Sequence, residues 1–289
     1  MNIFDKLMQL DRRWVYLLLV IVCLTAYYAD FTVPTIVENE TKAIYDFIED
    51  IEPGKIIFVA VDYDPSSQAE LHPMTYALVE HAFRKDLKVI FTALSQNGPG
   101  MVDQALRDLT DSLKLPKTYN GISYEGKEIV NGIDYTFLGY KPYYAIIITA
   151  MGQDYRIPFP SDYYGTPLDS IPMMKRVHNY DDVEIVVDLS SGSITDAWIS
   201  YGQGKFDFPL ALGLTGVMTA QYYPFLQSKQ VMGLMGGLLG AAQYEHLADN
   251  PGLAKDGMRV QLPAHLLIIL FIIIGNVGYL ATRNRNRKI

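Results

Sequence analysis

The residues Lys55–Glu70, KIIFVAVDYDPSSQAE, contain the pattern from which the rest of the fold is predicted. Ile56–Val61 is a short, almost continuous apolar run rich in β-branched residues, which is typical of a strand buried on both faces. The polar loop Asp62–Ser67 follows it, and Ser67-Gln68-Ala69-Glu70 has the spacing of a capping box at the start of a helix. A strand that leads through a polar loop into a capped helix is the first unit of a parallel α/β sheet.

The same alternation continues along the chain. Further strands are predicted at Lys88–Leu94, Asp134–Tyr140, Tyr143–Ala150, Val183–Asp188 and Phe208–Leu214. Helical patterns separate most of them, so the predicted fold class is α/β, with a mostly parallel, Rossmann-like sheet and helices on both faces. Residues Gln153–Pro172 hold four prolines and three tyrosines, and this long irregular connection is a candidate functional loop.

Apolar segments lie near both ends of the chain. Trp14–Phe31 and Leu262–Ala281 are each long enough to cross a bilayer, and a retained anchor is favoured over a cleaved signal peptide because Ala26–Ala29 lacks a small-x-small site. Basic residues flank both segments on their outer sequence sides, which predicts a two-pass protein of the cytoplasmic membrane with both termini cytoplasmic. The predicted segments are a cytoplasmic N-terminus (1–13), a span (14–31), a juxtamembrane helix (32–54), an extracytoplasmic α/β domain (55–250), a span (262–281) and a basic cytoplasmic tail (282–289).

Charge and rare residues exclude several classes of function. The two ends carry seven basic and two acidic residues, so residues 30–262 have a net charge of −13, against −8 for the whole chain. An acidic body of this kind excludes nucleic acid as the expected partner, because phosphate binding needs clustered Lys and Arg. Cys23 is the only cysteine and the five histidines are scattered, so neither a disulfide framework nor a Cys or His metal site is expected.

Polar loops follow four of the predicted strands and would meet at one rim of a parallel sheet. The candidate ligand-binding or catalytic residues in these loops are Asp62, Asp64, Ser66, Ser67, Ser95, Asn97, Asp154, Asp188, Ser190, Ser191 and Ser193. Paired carboxylates, hydroxyls and a helix N-terminus suit a divalent cation or a small polar ligand. The alternative is that Asp, Ser and Asn occupy these loops because they form turns and caps.

The order Asp62-x-Asp64-x-Ser66 after an apolar strand resembles the first motif of the haloacid-dehalogenase-like phosphatases. Ser95 falls where their second-strand Ser or Thr lies. The resemblance implies Asp62 as nucleophile, Asp64 as general acid/base and Asp188 as a magnesium ligand. It covers only a short part of the chain, and no lysine is clearly placed for the third motif of that family.

The segment Asp188–Ser193, DLSSGS, is similar to the DxSxS metal motif of von Willebrand A domains, with Gly192 in the position of the final serine. The chain has no G-x-S-x-G elbow, no GxGxxG and no Walker loop. A lipase-like hydrolase or a nucleotide enzyme therefore has no support from motifs.

The stretch Gln230–His246 is unusually rich in glycine and is predicted to be one glycine-rich helix. Its small residues Gly233, Gly236, Gly237 and Gly240 form small-xxx-small pairs, which permit close approach of another backbone. The partner would lie in the same domain, in another subunit or at the membrane. A second possibility is that residues 208–243 form a helical membrane hairpin.

These patterns favour a membrane-anchored binding or assembly subunit of a membrane complex, with other membrane-protein subunits or a second copy as partner and a small polar ligand at the rim. The alternative is a surface metal-dependent, phosphatase-like hydrolase that uses Asp62, Asp64 and Asp188 with a divalent cation. The sequence leaves open whether the protein is an enzyme. The distance between these three carboxylates separates the two hypotheses.

Overall fold

A computed structural model describes residues 11–29, 31 and 33–286, with side chains up to residue 280. The described residues fall into two units, residues 35–254 and the two ends of the chain. The predicted sheet lies in the first unit. Lys6, Arg287 and Lys288, on which the predicted orientation partly depends, lie outside the described residues.

The first unit is built on a parallel sheet of six strands. The strands of the chain are β1 (Ile56–Asp62), β2 (Lys88–Ala93), β3 (Lys117–Tyr119), β4 (Ile122–Tyr124), β5 (Tyr135–Tyr140), β6 (Val186–Ser190), β7 (Leu210–Leu214) and β8 (Gly233–Gly236). The sheet has the order β5-β2-β1-β6-β7-β8, and every neighbouring pair is parallel. β3 and β4 form a separate antiparallel hairpin. The chain builds outward from β1 on one side and then returns to the other, so the topological switch point lies between β1 and β6.

Helices cover this sheet and occupy the two ends of the chain. They are α1 (Arg12–Tyr28), α2 (Asn39–Asp50), α3 (Gln68–Arg84), α4 (Gly98–Leu113), α5 (Tyr144–Met151), α6 (Ile194–Ala197), α7 (Gly216–Gln227), α8 (Gly237–Leu247) and α9 (Leu253–Asn286). α6 continues into a π-helix, Trp198–Gln203, and a last helical turn, Gly204–Phe206. The α/β class and the parallel sheet are therefore confirmed. β1 and β6 are buried along almost their whole length, as their β-branched runs predict.

One of the predicted strands is replaced by a helix in the structure, so that prediction is wrong. Tyr143–Ala150 does not form a strand, because Tyr144–Met151 is helix α5. Ile148 and Met151 are its buried side chains, and their spacing of three places both on one face of a helix. A short apolar run fits a buried strand and a buried helix equally well, which is why the pattern misled.

The predicted glycine-rich helix is also wrong at its start. Gly233 and Gly236 lie on strand β8, which pairs with β7, and the helix begins only at Gly237. Gly237 has φ of +56°, a left-handed conformation that glycine adopts without strain. This conformation lets the chain change direction between the end of β8 and the start of α8. Because β7 and β8 belong to the buried sheet, residues 208–243 do not form a helical hairpin.

α2 covers the outer edge of β8. Ile44 and Ile48 of α2 are fully buried, and the Thr41 hydroxyl donates a hydrogen bond of 3.3 Å to the Leu234 carbonyl. A side chain at Gly233 would lie 2.4 Å from Ile44, so glycine is needed for this close approach. The predicted juxtamembrane helix is thus part of the domain core, and it protects an edge strand that would otherwise be open to pairing.

The predicted functional loop Gln153–Pro172 belongs to the core as well. Tyr155, Phe159 and Leu168 are buried in the main hydrophobic cluster. The Arg156 guanidinium ties the segment together, with Nε 2.6 Å from an Asp169 carboxylate oxygen and Nη2 2.8 Å from the Met174 carbonyl. The segment is a packed irregular layer rather than a loose connection.

The second unit contains the apolar helices of the two ends. The 28 residues Leu253–Leu280 of α9 have a mean hydropathy of 2.1 in their most apolar window and none of that window is buried. Within the described part of the chain, it is the one helix long and apolar enough to cross a membrane. α1 has 17 residues, and its apolar side chains are largely exposed.

Candidate functional site

The polar loops after β1, β2 and β6 lie at one edge of the sheet, because these three strands are parallel neighbours. In the register of β1 and β6, Ala60 lies opposite Asp188 and Asp62 lies opposite Ser190. Asp62 and Asp188 are therefore diagonal neighbours on the same face of the sheet. They stand at the topological switch point, where open α/β sheets generally bind ligands.

The Asp62 carboxylate is buried and accepts three N–H donors. It is 2% exposed. Oδ1 accepts from the Leu94 amide at 2.5 Å and the Ser95 amide at 3.3 Å, and Oδ2 accepts from Trp198 Nε1 at 2.9 Å. Burial raises the pKa of Asp62 to about 6, although these hydrogen bonds oppose the rise. Asp62 thus connects β1 with the loop after β2 and with the π-helix.

Asp188 is fully buried beside it. Oδ2 accepts a hydrogen bond of 2.7 Å from the Thr195 hydroxyl, while Oδ1 has no partner when the group is taken as an acceptor. Burial raises the pKa of Asp188 well above its usual range, and the neighbouring Asp62 charge raises it further. Two carboxylates this close and this buried do not both ionise near neutral pH.

Asp64 does not join this pair. Its Oδ1 accepts from the Ser66 amide at 3.0 Å and from the Ser66 hydroxyl at 2.6 Å, and these bonds lower the pKa of Asp64. This is the turn geometry expected of Asp in a short loop. Among the residues that the structure describes, no group of three His, Cys, Asp or Glu side chains is arranged to hold a metal ion.

The serine and asparagine residues predicted to bind a ligand differ in their exposure and in their hydrogen bonds. The Ser95 amide serves Asp62, and the Ser190 hydroxyl lies 3.4 Å from the Asp62 carbonyl. Ser66, Asn97 and Ser193 are exposed, and Ser67 and Ser191 are half-buried. The Ser66 hydroxyl is bonded to Asp64, and the other four side chains are available to a ligand in solution.

Asp154 lies in a different environment from the one predicted. It follows helix α5 instead of a strand, so its loop is not a fourth strand end. Its carboxylate faces Arg156 Nη1 at 3.3 Å and His178 Nδ1 at 3.3 Å. Asp154 therefore belongs to the packed layer that Arg156 organises.

The four predicted interface glycines have close neighbours within residues 35–254. A Cβ would meet Ile44 at Gly233, Thr219 at Gly236, Gly216 at Gly237 and the Met235 backbone at Gly240, each within about 3 Å. The close-packed partners that the structure gives for these positions are thus intramolecular.

Sequence reasoning missed Trp198 and Thr195, which contact the two buried acids. Trp198 is fully buried against Phe58 and Tyr180, with ring centroids 5.7 and 6.1 Å away. The π-helix that begins at Trp198 gives no local sequence signal, and such helices are frequent at functional sites. A weak signal was available, since Trp198 is one of only two tryptophans in the chain.

Comparison with known proteins gives no relative from which a function can be inferred. No protein-family model matches the chain, and no curated protein and no solved structure matches it significantly. The class defined by the fold and the site is an α/β domain with a parallel Rossmann-type sheet and a buried acid pair at its switch point.

Proposed function

We propose that the protein is a membrane-anchored binding or assembly subunit of a membrane complex, with its α/β domain outside the cytoplasm. The observation that carries this proposal is the internal use of the rim carboxylates. Asp62 is saturated by backbone amides and an indole, and Asp188 is buried against Thr195. Acids that hold the fold together are not free to act on a substrate.

The anchoring part rests on the two apolar helices at the ends of the chain. α9 contains the 28-residue apolar segment Leu253–Leu280, and α1 adds 17 residues, about 25 Å of helix. In this proposal both helices cross the bilayer, and their basic outer flanks favour cytoplasmic termini. Protease treatment of sealed right-side-out vesicles tests this topology, and a protected α/β domain would refute it.

The assembly part rests on an exposed apolar surface. Around the start of α5, Tyr143 is 77% exposed and Ile146 is 67% exposed. These two residues are three positions apart in the chain, and contiguous exposed apolar patches mark protein contact sites. Asn97 and Ser193 on the rim are exposed and offer amide and hydroxyl groups for a small polar ligand.

The experiment is an affinity purification of the full-length protein in mild detergent, followed by measurement of the mass of the complex. We expect a mass above that of the detergent-bound monomer, and we expect Ile146→Ser to lower it while the domain stays folded. Leu115→Ser is the matched control, because Leu115 is similarly exposed, at 62%, but lies elsewhere on the domain. A monomer in the wild type, or equal losses in both variants, would contradict the proposal.

The hydrolase alternative requires Asp62 to reach a substrate. Its burial and its three N–H donors oppose this, and Asp64 is bonded within its own loop. A phosphatase assay with Mg²⁺ and a chromogenic phosphate ester decides the matter. Turnover by the purified protein that disappears in Asp62→Asn would establish the alternative.

A further inference from the structure

The two buried acids at the switch point are Asp62 and Asp188. The groups around them are neutral hydrogen-bonding groups, which stabilise one negative charge better than two. The loop after β2 contributes the Leu94 and Ser95 amides, and the π-helix contributes the Trp198 indole N–H. α6 contributes the Thr195 hydroxyl. From α7, the Tyr222 hydroxyl donates to Asp196 at 2.9 Å, and burial together with the charges of Asp196 and Asp188 raises the pKa of Tyr222.

The hydrogen-bond partners of the Asp188 carboxyl indicate that it carries a proton. Its Oδ1 is buried and lacks a partner when the carboxyl is ionised, and a buried unpaired oxygen is costly. A proton on this oxygen becomes a donor, and Asp62 is the neighbouring acceptor. Asp188 lies diagonally across from Asp62 on the same face of the sheet, so the Asp62 carboxylate is the acceptor that faces this proton.

A metal ion does not fit the same place, although the motif resemblances imply one. The three N–H donors to Asp62 direct partial positive charge at the oxygens that would bind a cation. Asp64, which would supply a further ligand, is bonded to Ser66 instead. Magnesium also requires near-octahedral oxygen ligands, and the Leu94 amide and Trp198 indole occupy that volume.

We infer that Asp62 and Asp188 share a single proton where the motifs imply a metal, and that this pair is a pH-sensitive clamp between the end of β1, the Leu94–Ser95 loop and the Trp198 π-helix. With one proton on the pair, Asp62 accepts its N–H donors as an anion, and such charge-assisted bonds are about twice as strong as neutral ones. A second proton neutralises Asp62 and weakens its hold on Trp198 and on the loop. The fold as a whole gains stability at the same time, because the buried charge disappears.

The experiment uses Trp198 as its own reporter. The chain has two tryptophans, so Trp14→Phe leaves one indole N–H resonance in the NMR spectrum of the full-length protein in detergent micelles. Between pH 8 and pH 4 we expect this resonance to shift in a single step with a midpoint near pH 6, where Asp62 takes up the second proton. Asp64→Asn is the matched control on the same loop and should leave the step unchanged.

Substitutions at the pair assign the step. In the Trp14→Phe background, Asp188→Asn should keep the step within about one pH unit, because an amide donates to Asp62 as the protonated acid does. Asp62→Asn should abolish it. If Asp62→Asn does not fold, the Asp188→Asn titration still decides, since loss of the step there would overturn the assignment.

A metal titration separates the proton from a cation. We expect Mn²⁺ to leave the Trp198 resonance sharp at pH 7. Paramagnetic broadening of this resonance that Asp188→Asn removes would show that the pair binds a metal, and the inference would fail. A resonance that does not move between pH 8 and pH 4 in the folded protein would also overturn it.

Discussion

Asp188→Asn is expected to stabilise the protein at neutral pH. The asparagine amide would donate to Asp62 in place of the acid proton, and its carbonyl oxygen would accept the bond from the Thr195 hydroxyl, which is 2.7 Å long in the native protein. The substitution therefore keeps the hydrogen bonds and removes an ionisable group. It changes neither the volume of the side chain nor the packing around it appreciably.

The magnitude follows from proton linkage. Burial and the Asp62 charge raise the pKa of Asp188 well above its usual range, so the folded protein binds this proton more tightly than the unfolded chain, in which Asp has a pKa of about 3.9. Each pH unit over which the folded protein holds this proton and the unfolded chain does not costs about 1.4 kcal/mol. A raised pKa in the folded state means that stability is lost as the pH rises. The gain from Asp188→Asn should thus be small near pH 4 and grow as the pH rises towards 7.

Thermal unfolding of the detergent-solubilised protein, followed by near-UV circular dichroism, measures this effect. For a domain of this size, each kcal/mol of stabilisation corresponds to a rise in Tm of about 2–4 °C. The control is Asp181→Asn, since Asp181 is exposed and its substitution should change the free energy of unfolding by less than about 0.5 kcal/mol. A destabilised Asp188→Asn at pH 7, or a gain that does not depend on pH, would refute the reasoning.

Two further substitutions test the packing of the domain. Gly237→Leu should lower the free energy of unfolding by several kcal/mol, because the residue has φ of +56° and a Cβ would lie 3.0 Å from the Gly216 backbone. The control Gly100→Ala, with open space around it, should be neutral or stabilising. Urea unfolding measures both variants, and a Gly237→Leu protein of native stability would contradict the close packing. Arg156→Gln should destabilise the packed layer Gln153–Pro172 by about 2–3 kcal/mol, since it removes a charge-assisted bond of 2.6 Å to Asp169. Limited proteolysis should then cut this layer first, and equal resistance in wild type and variant would show that Arg156 does not hold it.

The sequence predicted those parts of the fold whose side-chain pattern fits only one structure. The runs Ile56–Val61 and Lys88–Leu94 are β-branched, short and bounded by polar loops, so no helix competes with the strand. Tyr143–Ala150 fails because its apolar run is too uniform to show a period. Gly233–Gly236 fails because it pairs with β7, a tertiary contact that overrides the local preference of glycine.

The sequence predicted where the site lies in the fold, but it did not predict the chemistry of the site. Parallel strands bring their carboxyl ends together, so the closeness of Asp62 to the Asp188 loop follows from the topology. The direction of each side chain does not, because a strand buried on both faces has no polar side to set the alternation. β1 extends through Asp62, which places this carboxylate on the same face as Phe58 and Ala60 in the core, while Asp64 falls in the turn beyond the strand.

The side chains that occupy the topological switch point limit where the domain can bind a ligand. In an open parallel sheet, the divergence of the connections on either side of β1 and β6 leaves a crevice that a ligand fills. Here the Trp198 indole bonds to Asp62 and the Thr195 hydroxyl bonds to Asp188, so side chains of the protein itself satisfy the groups that face this position. A ligand would have to break these bonds and solvate two buried acids, which costs far more than binding at the exposed serines of the rim. This comparison supports the proposal that the protein recognises its partner through outer surfaces, such as the exposed apolar start of α5.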